Sequence, residues 1–317
     1  MTRDLLILRH GETKLNHPNG DFARELKNKG KRRAQRLGVW LDEHDLKPDF
    51  ILTSPAERAH TTAHKCCKSA GLGTKIIQEE RSLYNAAPIE VMSEISKISD
   101  DVQRLMVVGH NPGLSMLVAN LSQKYVPMDP GMLVLLRFEG SWRDLSHADC
   151  IQVISPHSLP KTFPFVTAEG KTQERVRPAY YYRQSCVVPY RMMQNGEPEI
   201  LIISSSAHKH WVVPKGIHEP GMSARESAAQ EALEEAGIKG KVHDHELGRY
   251  SYEKWQATCT VSVYPMEVTD ELSKEEWEES HRLRRWVSLP SALELIGNEK
   301  LAAVVEKLHA YLAEKRA

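Results

Sequence analysis

The chain has 317 residues, which sets two domains of roughly 150 residues each as the expectation. Its 41% hydrophobic and 26% charged content excludes general disorder. Lysine and arginine balance aspartate and glutamate at 42 each, so the basic excess of a nonspecific nucleic-acid binder is missing and no nucleic-acid partner is expected, although a local basic pocket for a small polyanion fits that balance.

In chain order, Leu5-Leu6-Ile7-Leu8, Phe50-Ile51-Leu52-Thr53 and Leu105-Met106-Val107-Val108 read as buried parallel strands. Between them, 29–44 and 59–70 read as helices, and later strands are expected at 131–138 and 150–154, separated by a turn at Gly140-Ser141. This is the alternation of an α/β layered domain over residues 1–160. The pattern lapses between Pro156 and Pro178, where four prolines and the charged run 169–177 leave few periodic apolar positions, so 161–178 is expected to be a linker. A second domain, 179–317, opens with a strand at 185–193, a hairpin turn at Asn195-Gly196 and a strand at 199–204. A helix at 223–236, strands at 258–266 and near Trp286, and a helix at 299–314 complete it. No stretch approaches the ~20 apolar residues of a membrane helix, and the run at Leu5–Leu8 is too short for a signal-peptide core, so no membrane is expected. Five cysteines without a C-x-x-C pair read as thiols in a reducing cytoplasm.

Each of the three buried runs ends in chemistry. Leu8 is followed by Arg9 and His10, Thr53 by Ser54 and soon Arg58, and Val108 by Gly109 and His110. In open α/β sheets ligands bind beyond the carboxyl ends of strands, so these residues are expected to converge on one cationic pocket. His10 would be the nucleophile, attacking phosphorus in line and becoming phosphohistidine, which water then hydrolyses. Arg9 and Arg58 would hold the equatorial oxygens, and His110 would donate to the charge developing on the phosphoryl group. Asn111, followed by Pro112, reads as a helix N-cap that aims backbone N–H groups at the anion.

These motifs, with Lys29-Gly30-Lys31-Arg32, Lys47-Pro48-Asp49 and Gly109-His110-Asn111-Pro112-Gly113, make residues 1–160 resemble the histidine phosphatase superfamily, specifically the SixA-type phosphohistidine phosphatases. The resemblance implies a three-layer α/β domain with no metal, acting on phosphohistidine protein or a small phosphomonoester. Larger members carry an acidic proton donor where this chain has Leu83-Tyr84-Asn85-Ala86. Glu12, Glu79 and Glu80 lie nearby, and Glu12 reads rather as a residue that orients the pocket. A missing strong acid favours a leaving group that departs easily, such as the nitrogen of phosphohistidine.

Farther on, Glu231, Glu234 and Glu235 have i, i+3, i+4 spacing, which gathers their carboxylates on one helix face. Such a cluster of hard oxygens suits Mg²⁺ or Mn²⁺. The opposite face, Ala228, Ala229, Ala232, Leu233 and Ala236, packs closely on a sheet, and Gly237 reads as the C-cap. With Pro214-Lys215-Gly216, Trp211-Val212-Val213-Pro214 and Trp277-Glu278-Glu279, this segment makes 179–317 resemble the Nudix hydrolases, and among them the diphosphoinositol polyphosphate phosphohydrolases. The resemblance implies an α/β/α sandwich with a mixed sheet, a divalent metal held by Glu231, Glu234, Glu235 and Gly216, Glu235 as a catalytic carboxylate, Lys215 on phosphate, and a nucleoside or inositol diphosphate-type ligand. Two positions depart from the family pattern, Met222 where a glutamate is expected and Gln230 where an arginine is expected. Arg183, Arg191, His208, Lys209 and His210, with Lys215, supply charge for a phosphorylated ligand or form a solvated rim.

The sequence therefore predicts a bifunctional phosphohydrolase. Its alternatives are an active phosphatase whose degenerate second domain only senses a nucleotide or inositol polyphosphate, and sequential action of the two domains on one substrate.

Overall fold

Alternation within β1 (Thr2–Arg9) decides the layering of the first half. In the computed structural model, which describes residues 1–166 and 170–316, Leu5 and Ile7 face one side of the sheet and Leu6 and Leu8 the other, as a period of two requires. β4 (Arg104–Gly109) repeats the pattern, with Leu105 and Val107 on one side and Met106 and Val108 on the other. One face is covered by α1 (Asn28–Glu43) and α2 (Glu57–Ser69) through Leu37, Leu41, Ala59 and Ala63. The other is covered by α3 (Pro88–Ile95) and α4 (Gly113–Ser122) through Val91, Ile95, Leu114 and Leu117. Both sheet faces are buried, which is why these strands are continuously apolar.

The remaining strands are β2 (Phe50–Thr53), β3 (Ile77–Glu79), β5 (Leu133–Glu139) and β6 (Asp149–Ile154), and the sheet order is β3-β2-β4-β1-β5-β6. β1 and β2 both run parallel to β4 and β3 runs parallel to β2, while β5 and β6 add an antiparallel margin. The chain divides into two units, Met1–Glu174 and Arg175–Ala317. The stretch expected to be an irregular linker carries two short paired strands, β7 (Phe163–Val166) and β8 (Thr172–Arg175), because Phe163 is buried and anchors the first of them. Its residues 167–169 lie outside the described residues.

In the second unit, β9 (Arg183–Met192) and β10 (Pro198–Ser204) form the expected hairpin around Asn195-Gly196, with Gly196 at φ 82°. β11 (Trp211–Val212) and β12 (Lys215–Ile217) follow, then α5 (Ala224–Ala236), β13 (Ile238–Val242), β14 (Gly248–Lys254), β15 (Ala257–Glu271) and β16 (Arg284–Ser288). The eight strands make one mixed sheet with β9 parallel to β15 at its centre and its other pairs antiparallel. Val187, Leu201 and Ile203 face α5, while Cys186, Val188, Ile200 and Ile202 face α6 (Leu289–Leu295), α7 (Glu299–Val305) and α8 (Lys307–Arg316). The continuous helix expected over 299–314 is two helices meeting at Glu306. Ser223 caps α5 with a capping box to Glu226, and Gly237 closes it at φ 61°.

α1 and α2 touch through Gly38, where a Cβ would lie 2.1 Å from the Cys66 carbonyl oxygen. Gly38→Ala forces this helix pair apart and is expected to destabilise the first unit by about 1–3 kcal/mol in urea unfolding. A change within error would show that the helices have slack there.

Candidate functional sites

The front site forms where β1 and β4 end. Arg9 pairs with Gly109 across the two strands, and the His10 N–H donates to the Gly109 carbonyl at 3.1 Å. The rings of His10 and His110 consequently lie 5.1 Å apart. Arg58 reaches the same place from the first turn of α2, and its side chain is 4% exposed.

Hydrogen bonds assign the chemistry of His10. Its Nδ1 lies 2.8 Å from the Gly11 carbonyl oxygen. A carbonyl only accepts, so Nδ1 carries the proton and Nε2 holds the lone pair. Gly11 is fixed in turn by its N–H to Thr62 Oγ1 at 3.0 Å, on the same helix as Arg58. Burial, with Arg58, Arg9 and Arg24 nearby, pushes the imidazole from 6.5 down to about 4 against the opposing Gly11 hydrogen bond. His110 is lowered to about 3 by burial and then by His10 and Arg58. Its Nε2 is 2.9 Å from Ser54 Oγ, while its buried Nδ1 has no partner among the described residues.

Arg9 and Asn111 both donate to the Met128 carbonyl, at 2.7 and 3.0 Å. The N-cap expected of Asn111 is therefore not made. α4 starts at Gly113 with Pro112 in the cap position and no side-chain cap bond; the Asn111 amide N–H goes to Met128, and its Oδ1 has no partner among the described residues. The Leu114 N–H that an anion would use is taken by the His110 carbonyl.

Around Arg58 stands a group that the sequence reading missed. Asp21 accepts from Arg58 through its carbonyl at 2.7 Å and its carboxylate at 2.9 Å, and also from Tyr84 Oη and Arg24 Nη1, each at 2.8 Å. The Tyr84 hydrogen bond, followed by these arginines, holds the Asp21 carboxyl below its usual range. A guanidinium has five N–H groups, so Asp21 fixes its plane and leaves donors for a phosphoryl oxygen. Glu12 is drawn away by Lys27 at 3.0 Å, Arg33 at 3.5 Å and Lys29 at 3.7 Å. Glu79 is bonded to His60, and Glu80 accepts from Gln78.

The rear site lies between α5, β9 and β12. Gly216 permits it, since a Cβ there would fall 1.9 Å from the Glu231 carboxyl carbon. Glu231 and Glu235, one turn apart, line a cavity of about 430 Å³ with Lys215, Lys254, Gln184 and Arg282. Glu235 accepts from the Lys215 N–H at 2.9 Å and from Arg282 at 2.5 Å. Arg282 also pairs with Glu279 at 2.5 Å. Burial, and then the charges of Glu235, Glu234, Glu219 and Glu279, push the Glu231 carboxyl up to about 8. Glu234 is not in the lining; its carboxylate accepts from Gln230 at 2.6 Å. Of the six residues expected to form a basic rim, Lys215 and His210 line the cavity, Arg191 is paired with Glu199 and His208 is bonded to Ser204.

A model described as histidine phosphatase superfamily (branch 1) matches residues 5–82, and a NUDIX domain model matches residues 183–308. Nudix hydrolase 21, chloroplastic, of Arabidopsis thaliana is 32% identical over 157 residues, covering 48% of this chain and 78% of that protein. The chain belongs to the Nudix hydrolases. Its first unit is a histidine phosphatase domain, so the chain is a fusion of two hydrolase domains. Among solved structures it is similar to a putative phosphohistidine phosphatase SixA from Nakamurella, at 24% identity and TM-score 0.43, over 49% of this chain and 97% of that one. It is also similar to an Ap4A hydrolase of C. elegans, at 24% identity and TM-score 0.37, over 42% of this chain and 98% of that one.

In this Nudix–phosphatase fusion, Asp21 and Arg24 carried no sequence signal because they sit on an irregular segment without period, and Tyr84 stood out only as part of Leu83-Tyr84-Asn85-Ala86. Glu279 left a weak signal at the end of Trp277-Glu278-Glu279, and Glu219 and Arg282 left none.

An imidazole lowered to about 4, as His10 is, stays neutral at physiological pH. Phosphoryl transfer to His10 in a single turnover is therefore expected to be level from about pH 8 to about pH 5 and to fall only near pH 4, as the ring takes up a proton. A rate that halves near 6.5 would show an ordinary imidazole.

Proposed function

We propose that the chain is a two-site phosphohydrolase: a His10-dependent phosphatase for phosphohistidine protein or a small phosphomonoester, and a Mg²⁺- or Mn²⁺-dependent hydrolase of a nucleoside or inositol diphosphate-type ligand. One observation carries the front half. His10 is neutral, its proton is fixed on Nδ1, and its Nε2 lone pair lies among two arginines and a second histidine. Nε2 forms a bond to phosphorus as the bond to the leaving group breaks, and water then cleaves the Nε2–phosphorus bond. Arg58 and Arg9 hold the phosphoryl oxygens, and His110 supplies a further donor. Glu12 and Asp21 are both engaged by cations and kept ionised, so neither offers a proton. The site is suited to a leaving group that needs little acid assistance, which favours phosphohistidine.

For the rear half, the donor set fits a hard cation. Glu231 is a half-buried carboxyl group whose pKa is raised first by desolvation and then by the like charges of Glu235, Glu234, Glu219 and Glu279. A bound Mg²⁺ would supply charge neutralisation on the diphosphate and a more acidic water. Glu231 would hold it beside Gly216, and Lys215 and Arg282 would face the phosphates. Glu235, held by Arg282 and the Lys215 N–H, orders this arrangement. Five free cysteines support a reducing, cytoplasmic location. Among the described residues no helix is long and apolar enough to cross a membrane.

Purified chain assayed on phosphohistidine protein and on diphosphates, with and without Mg²⁺, separates the halves. His10→Ala is expected to lower phosphatase turnover at least about a thousandfold and leave Mg²⁺-dependent cleavage intact. Glu231→Gln should do the reverse. Diphosphate binding without turnover in the unaltered chain would favour the sensor reading, for which the engagement of Glu234 by Gln230 speaks.

A further inference from the structure

On α2, His60 and His64 stand one turn apart with their rings stacked at 4.1 Å and 21°. The last residue of β3, Glu79, bonds His60 Nδ1. One donor atom from each of the three residues lies within 4.8 Å of the other two. We propose that His60, His64 and Glu79 form a binding site for a divalent transition-metal ion of the zinc type, with water completing the shell.

Three features argue for it. The spacing i, i+4 puts two imidazoles on one helix face, and the third ligand comes from a different element, so an ion there would tie α2 to β3. Two imidazoles and one carboxylate are a three-ligand zinc set, and imidazole nitrogen discriminates against Mg²⁺, which prefers oxygen. The ligands are also already gathered, since the His60 and His64 rings stack at 4.1 Å and Glu79 reaches His60 Nδ1 across from β3. Lys65 and Lys68 oppose a cation here, and the Glu79 charge offsets them.

The site bears on function through α2. That helix also carries Arg58, which faces the phosphoryl pocket, and Thr62, whose hydroxyl accepts from the Gly11 N–H. Fixing α2 against β3 would steady the element that presents both. The plainer alternative is a His60–Glu79 ion pair with no metal.

The test uses the full, untagged chain in a large excess of Mg²⁺, which occupies oxygen-only sites and leaves imidazole sites open. Calorimetric titration with Zn²⁺ is expected to show one ion per chain. His64→Ala and Glu79→Gln should each weaken that binding at least tenfold, while Glu231→Gln should leave it unchanged. Zn²⁺ should also raise the melting temperature of the unaltered chain and not that of His64→Ala. Circular dichroism and His10-dependent turnover establish that His64→Ala is folded. Co²⁺ should give the strong visible absorption of a four-coordinate nitrogen-bearing site, lost in His64→Ala. Zn²⁺ binding that is absent, or indifferent to His64 and Glu79, overturns the proposal without touching the phosphatase reading.

Discussion

The parallel register of β1 on β4 is the constraint on which the front site depends. Arg9 stands opposite Gly109, so the next residue of each strand, His10 and His110, leaves the sheet at the same level and the same edge. A slip of one residue would turn Leu6 and Leu8 to the wrong face and bury them against the wrong helices. The register that satisfies the core is therefore the one that joins the two imidazoles. Core and site are not separately negotiable here, because apolar alternation over Leu5–Leu8 already fixes where His10 emerges. Arg58 is tied to the same arrangement by a short relay, from the His10 ring to the Gly11 carbonyl and from the Gly11 N–H to Thr62.

The two sites apply burial with opposite results. In front, low polarity and neighbouring arginines strip the proton from His10 and His110 and leave neutral rings among fixed positive charge. Behind, low polarity and neighbouring glutamates push a proton onto Glu231, and a cation would displace it. One pocket gathers fixed positive charge around two neutral imidazoles. The other gathers carboxyl groups whose mutual repulsion a cation would relieve.

Much of this was legible because strands and capped helices write their own signatures. Leu105–Val108 announced a buried strand, and Ser223, Glu226 and Gly237 mark both ends of α5. The misses share a cause. Asp21, Arg24 and Tyr84 come from segments with no period, and only the folded chain shows that they meet on Arg58. Asn111-Pro112 looked like a cap because the local pattern is a good one, yet the Met128 carbonyl, distant in sequence, won the amide. The break at Glu306 was equally hidden, since both α7 and α8 supply apolar residues to one core and the periodicity runs through the joint. Phe163, buried among prolines, gave order to a stretch whose composition suggested none.

The departures at Met222 and Gln230 can be weighed from the same geometry. Gln230 draws the Glu234 carboxylate along α5 and out of the cavity lining, which removes one oxygen donor from the place where the family pattern puts it. Met222 removes another, since its thioether side chain carries no oxygen ligand. The acidic field survives because part of it does not come from α5. Glu219 precedes the helix, Glu279 follows β15, and both add to the rise that burial, Glu235 and Glu234 impose on the Glu231 carboxyl. Arg282 then bridges Glu235, which lines the cavity, to Glu279, which does not. The acidic charge of this site thus comes from several elements, and Glu231, pressed against the bare backbone of Gly216, is the carboxyl group on which it converges.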